Sequence, residues 1–153
     1  MSRTKAETDT PWKTILDVYF EQFMAYCWPE KHAEVDWSKG YKMLDKELSK
    51  IARNAPIGNR VVDKLVELHL KNGQVSGILF HLEIQGRSEC TFEERMFIYR
   101  YRLRDLYNKP IASLAVLIDK SKRWRPGVFK EEFWGTSIEM RFKIIKLIDY
   151  KTS

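Results

Sequence analysis

Three features of this sequence predict a mixed α/β domain, with a central sheet flanked by helices. Apolar residues recur at helical spacing over 12–28, 36–53 and 92–107. Two strand-like segments, 61–70 and 77–86, flank the turn-forming stretch KNGQVS. The run IASLAVLID at 111–119 is apolar on both faces, as in a covered strand lying parallel to a neighbour. At 153 residues the chain is expected to form one domain with a core of its own.

In chain order, residues 1–10 are polar and expected to form a disordered tail. Pro11 is expected to open the first helix, with Ile15, Leu16, Tyr19, Phe20 and Phe23 on one face and Pro29 ending it. The second helix follows Asp36 or Ser38, carries Trp37, Tyr41, Leu44, Leu48 and Ile51 on one stripe, and is broken by Pro56 and Gly58. The hairpin turns at Asn72-Gly73. Thr91 and Glu94 form a capping-box pattern for the third helix, and Pro110 separates that helix from the central strand. A loop containing KSKRWRPG follows. Alternation at Ile138, Met140 and Phe142, then IIKLID, predicts one or two final strands.

No apolar run reaches the ~18 residues of a membrane span, and MSRTKAETDTP lacks the apolar stretch of a signal peptide. The expected location is the cytoplasm, with Cys27 and Cys90 reduced. None of the three histidines lies at ligand spacing from a cysteine, which argues against zinc. Twenty-seven Lys and Arg against twenty-one Asp and Glu give +6, a balance that favours a polyanionic partner.

The chemistry concentrates on the hairpin. VVDKLVEL at 61–68 and FHLEIQGR at 80–87 each place an acid inside an apolar strand. Burying a carboxylate there is costly unless a cation compensates it. A divalent metal between Asp63 and Glu83 would do so, and hard cations such as magnesium take oxygen ligands. The register decides whether the two acids meet. A three-residue loop over 72–74 sets Asp63 directly opposite Glu83, whereas a two-residue Asn-Gly turn sets it opposite Leu82 and throws the acids onto opposite faces unless a bulge intervenes. Gln85 shares the face of Glu83 and can orient a water. A third acid would come from the second helix, where Asp45 and Glu47 lie on opposite flanks of the apolar stripe, each roughly 80° away, and periodicity does not choose between them. His81, on the Glu83 face, is expected to be structural. The tryptophans are expected in the core, with Trp124, between Arg123 and Arg125, the best candidate to stack on bases.

Several of these strings together resemble the Rpn family of recombination-promoting nucleases and transposases, within the PD-(D/E)XK nuclease superfamily: PWKTILDVYF at 11–20, DWSKGYKMLDKEL at 36–48, VVDKLVEL, HLEIQG at 81–86, ERMFIYRYR at 94–102, PIASLAVLID at 110–119 and WRP at 124–126. The resemblance implies a restriction-endonuclease-like αβββαβ core, although the sequence suggests two strands rather than three before the third helix. It makes Asp63 and Glu83 metal ligands and puts Gln85 where lysine is usual. It favours Glu47 over Asp45 as the helix acid and makes Arg95 and Tyr99 helper residues. Family members are generally longer, which leaves a C-terminal truncation open.

The expected activity is that of a magnesium-dependent DNA endonuclease. Magnesium would bind Asp63, Glu83 and the carbonyl of Ile84, Gln85 would orient the water, and Arg95 would stabilise developing negative charge. Arg102 on the third helix and Lys122, Arg123, Trp124 and Arg125 in the loop would grip nucleic acid, with Arg100, Arg104 and Lys120 as further candidates. A homodimer stays open as a second partner state. The competing expectation is a catalytically inactive nuclease-fold module that binds nucleic acid or a protein.

Overall fold

The computed structural model describes residues 5–51, 60–73 and 77–150. Its main sheet has five strands in the spatial order β1 (Lys42–Met43), β2 (Arg60–Leu68), β3 (Ile78–Gln85), β4 (Ile111–Leu117) and β7 (Lys143–Lys146). The first three run antiparallel to one another in turn, and β3, β4 and β7 are parallel, so the sheet is mixed as expected. A separate two-stranded ribbon, β5 (Val128–Phe133) and β6 (Thr136–Arg141), precedes β7.

Helices cover both faces. On one face α1 (Lys5–Val18) and α2 (Phe20–Cys27) set Leu16, Phe20 and Met24 against Val66, Phe80, Leu82, Ile84, Leu114 and Val116. On the other, α4 (Asp45–Ile51) and α5 (Phe92–Tyr107) enclose Leu65, Leu79 and Ile111 with Leu44, Leu48 and Leu103, and Ala115 and Leu117 with Phe92 and Met96. The alternation along each strand thus supplies two cores, as burial on both sides of a parallel sheet demands. A four-residue helix, α3 (Pro29–His32), starts at the proline that ends α2.

Several elements differ from expectation. The expected tail already belongs to α1, which begins at Lys5 and runs through Pro11; residues 1–4 lie outside the described residues. Pro11 therefore sits inside the helix rather than at its start, without an N–H to give the preceding turn. The predicted first helix is two, because Tyr19, at φ −118° and ψ 32°, leaves helical geometry between α1 and α2. The second predicted helix is a 3-10 turn at Trp37–Lys39, the strand β1 and the short α4. Gly40, at φ 72°, turns the chain out of the 3-10 turn. Pro56 and Gly58, assigned to its end, lie outside the described residues. With β1 counted, three strands precede α5 where the sequence suggests two. Helix α5 spans the predicted 92–107, but the Thr91 side chain makes no capping bond, so the capping box is not formed. Asn108, in the left-handed region, ends it. Strand β5 falls in the segment expected to be loop.

Candidate active site

Strands β2 and β3 pair with Asp63 directly opposite Glu83, Val62 opposite Ile84 and Leu65 opposite His81. This is the register in which the two acids share a face. A bulge lies between Arg60 and Val62, at the mouth of the hairpin, where it leaves the Asp63 register undisturbed. The turn residues 74–76 lie outside the described residues, so the loop length expected to set this register is not seen directly.

Glu83 is 0% exposed and Asp63 is partly buried. The cation beside Glu83 comes from α5. Arg95, also 0% exposed, reaches Glu83 through Nε to Oε1 at 3.3 Å and Nη2 to Oε2 at 3.5 Å. Its tighter contacts are elsewhere: Nη2 donates to Gln85 Oε1 at 2.7 Å, and Nη1 pairs with Glu89 in the β3–α5 loop. Burial works against the guanidinium charge, but Glu83 and Glu89 outweigh it and hold Arg95 protonated. Gln85 in turn donates from Nε2 to the Arg87 carbonyl at 3.0 Å, so both ends of its amide are fixed. Tyr99, one turn along α5 from Arg95, is buried and meets His81 edge-on at 5.0 Å. Asp63, Glu83, Gln85, Arg95 and Tyr99 are therefore brought to one face of the sheet, the face covered by α5. Arg95 and Tyr99 meet it from the helix, as their i, i+4 spacing allows.

The third acid is not there. Asp45 binds Lys64 at 2.6 Å, and Asp17 of α1 binds the same ammonium. Burial opposes the Lys64 charge, but the hydrogen bonds it donates to Asp17 and Asp45 prevail and hold its pKa up. Glu47 stands near Tyr107, whose hydroxyl is pushed up by burial and by the Glu47 and Glu67 carboxylates. Tyr107 lies at the opposite end of α5 from Arg95, about 18 Å along the axis at 1.5 Å per residue. The stripe of the expected long helix placed these acids on its flanks, and the break into β1 and a short α4 carries them elsewhere. The carbonyl of Ile84 is directed towards β2 opposite Val62, since that of its neighbour Gln85 accepts from Ile118 on the β4 side.

The basic loop after β4 leaves the sheet at the same end as Gln85, the carboxyl end of two parallel strands, where open α/β sheets commonly hold ligands. It is firmly built. Lys146 Nζ donates to Asp119 Oδ2 at 2.9 Å and to the Trp124 carbonyl at 2.7 Å, and Ser121 Oγ accepts from the amides of Arg123 and Trp124. Lys122 and Arg123 are exposed. Three other expected contacts are committed to the fold. Trp124 packs edge-on against Phe92 at 5.5 Å beneath Lys146, Arg125 pairs bidentately with Asp149, and Arg102 donates to the Ile51 carbonyl at 2.8 Å. Trp124 is partly buried, with its ring packed against the core beside α5. Sequence reasoning missed Glu89 and Lys146. Lys146 carried the signal that singled out Glu83, a charge inside an apolar run; Glu89, in a polar loop, carried none.

Two carboxylates facing each other on adjacent strands are hard oxygen donors of the kind magnesium accepts, its remaining positions filled by water. Among the described residues no group of three or more His, Cys, Asp or Glu is gathered, so the protein would supply two carboxylates and water the rest. Were Glu83 to take a hard cation, Arg95 would still have Gln85 and Glu89 to hold it. No helix among the described residues is long and apolar enough to cross a membrane. Comparison with protein-family models, with curated proteins and with solved structures returns no match.

Proposed function

We propose that this chain is a magnesium-dependent DNA endonuclease of the PD-(D/E)XK type, related to the recombination-promoting nucleases and transposases of the Rpn family. The observation that carries the proposal is the pairing of Asp63 with Glu83 on neighbouring strands, with Gln85 two residues on and Arg95 between them and α5. The element order supports it in part: helices, β1, β2, β3, α5 and then β4 follow the αβββαβ order expected of that superfamily, with the short α4 inserted between β1 and β2.

In this scheme Asp63 and Glu83 hold the metal. Bound there, magnesium supplies Lewis-acid polarisation of a phosphate oxygen and a water of lowered pKa. Gln85, fixed through both amide ends, orients the attacking water and carries no charge of its own. Arg95 lies within hydrogen-bond reach of Glu83 and Gln85 and places a permanent positive charge where the phosphorane-like charge develops. Lys122 and Arg123 present exposed cations at the same end of the sheet for the flanking backbone, a contact that is independent of sequence and weakened by salt.

Supercoiled plasmid incubated with magnesium, and with EDTA, tests the scheme. Cleavage is expected with magnesium alone. Asp63→Ala should lower it by more than the ~100-fold that loss of a supporting group costs, while duplex binding persists. An Asp63→Ala protein that cuts like its parent overturns the assignment. A second reading, a catalytically silent module that binds nucleic acid, is favoured by the complete burial of Glu83 against Arg95. Duplex binding with no magnesium-dependent cleavage would select it.

A further inference from the structure

At the outer edge of β4, away from the acidic centre, lies a cavity of about 370 Å³ whose wall includes Trp28, Arg100, Ser113, Arg141, Phe142 and Lys143. No carboxylate lines it. Strand β7 pairs with β4 only from Leu114 onward, so the stretch from Ile111 to Ser113 has an open outer edge here. Arg100 spends Nη1 on the Ile111 carbonyl at 2.7 Å, which fixes its guanidinium at the cavity wall. Arg141 pairs through Nε with Glu139 at 2.6 Å, and its side chain is 68% exposed. Lys143 is exposed and makes no ion pair among the described residues. Ser113 is only 7% exposed, and its Oγ has no hydrogen-bond partner among the described residues.

Ser113 Oγ is itself closed off from solvent, so a ligand oxygen that reached it through a small side-chain shift would recover the free energy that an unpartnered buried hydroxyl costs. Arg100, Arg141 and Lys143 outnumber the one acid that Arg141 meets, Glu139, and so leave a net positive charge that attracts an anion, and guanidinium forks match the geometry of phosphate oxygens. Trp28 and Phe142 add partly buried aromatic surface on which a flat ring can lie. The volume is in the range of small-ligand sites. We infer that this cavity binds a nucleotide: the phosphate monoester on Arg100, Arg141, Lys143 and the Ser113 hydroxyl, and the base against Trp28. The chemistry is shared by a free nucleotide and by the phosphorylated end of a strand. The inference does not rest on the hydrolytic proposal, since none of these residues belongs to the Asp63–Glu83 centre.

The test follows tryptophan fluorescence of the full chain titrated with AMP, adenosine, and a short single strand with and without a 5′-phosphate. Trp28→Phe identifies the reporting ring. AMP or the phosphorylated strand should bind at least tenfold more tightly than its phosphate-free counterpart. Binding of AMP alone assigns the pocket to free nucleotides, and binding of the phosphorylated strand alone assigns it to strand ends. Lys143→Glu, a surface change that leaves the melting temperature near that of the parent, should weaken binding tenfold or more, and Ser113→Ala about threefold. Asp63→Ala should leave it unchanged, which separates this site from the acidic centre. Equal binding with and without phosphate, no binding of either ligand, or parental binding by Lys143→Glu overturns the inference.

Discussion

Arg95→Met is the sharpest probe of the buried centre. Methionine keeps much of the aliphatic volume and removes the charge, so the Glu83 carboxylate, itself 0% exposed, loses the cation beside it. Breaking a buried pair from one side costs ~3–5 kcal/mol, because an uncompensated buried charge remains. Glu89, whose side chain is 12% exposed, and the neutral Gln85 add less to that loss. Against a total stability of ~5–15 kcal/mol the effect is large. At ~2–4 °C per kcal/mol for a domain of this size, the melting temperature should fall by ~6–20 °C. The double variant Glu83→Gln/Arg95→Met removes both charges and should recover most of the loss, giving a favourable coupling in a double-mutant cycle. Urea unfolding at pH 7, followed by fluorescence and circular dichroism, reads all four proteins. Magnesium should stabilise Arg95→Met more than the parent, since it would be the cation left for Glu83. A single variant with the parental urea midpoint, or a double variant no better than the worse single one, would refute the charge pairing on which the site is built.

Three further outcomes are expected. The Lys109 ammonium, 2.6 Å from Glu67, holds that carboxyl below its usual 4.5. The stability it contributes is therefore present above pH 4.5 and lost as pH falls through the depressed value, so the gap in urea midpoint between parent and Glu67→Gln should be constant near neutrality and close in acid. Burial pushes the Cys27 thiol up to about 11, whereas Cys90 is exposed. Ellman's reagent at pH 8 should titrate one thiol rapidly in the native protein and two in denaturant; two rapid thiols would contradict the burial of Cys27. Trp134 is 91% exposed and sits at φ 54° ahead of Gly135 at φ 77°, a turn that favours Asn-Gly. Trp134→Asn should therefore preserve or raise stability, by up to ~1 kcal/mol, as read by thermal unfolding.

How legible the molecule was in its sequence depended on which elements carried a period. Helix α5 and the strands β2, β3 and β4 bury a continuous face or both faces, and their patterns located them. Strand β1 is two residues long, and its neighbours Tyr41 and Leu44 continue a helical stripe, so a broken segment reads as one helix. Strand β5, VFKEEF, lies in a mostly exposed ribbon, where burial imposes little alternation on composition. Within the site, Asp63, Glu83 and Gln85 were visible because polar groups inside apolar strands demand an explanation. The surroundings of Glu47 and Trp124 were not legible, because exposure and partners depend on where short segments turn, which spacing alone does not encode.

The main sheet is laid down in the order of the chain, each strand beside the one made before it, with only the ribbon intervening before β7 closes the edge. No later strand has to wedge between two earlier ones. During synthesis Asp63, Glu83, Gln85 and Arg95 can come together as soon as α5 exists, whereas Lys146, which fastens the basic loop, is made later, with β7. The acidic centre is thus assembled ahead of the cationic loop beside it.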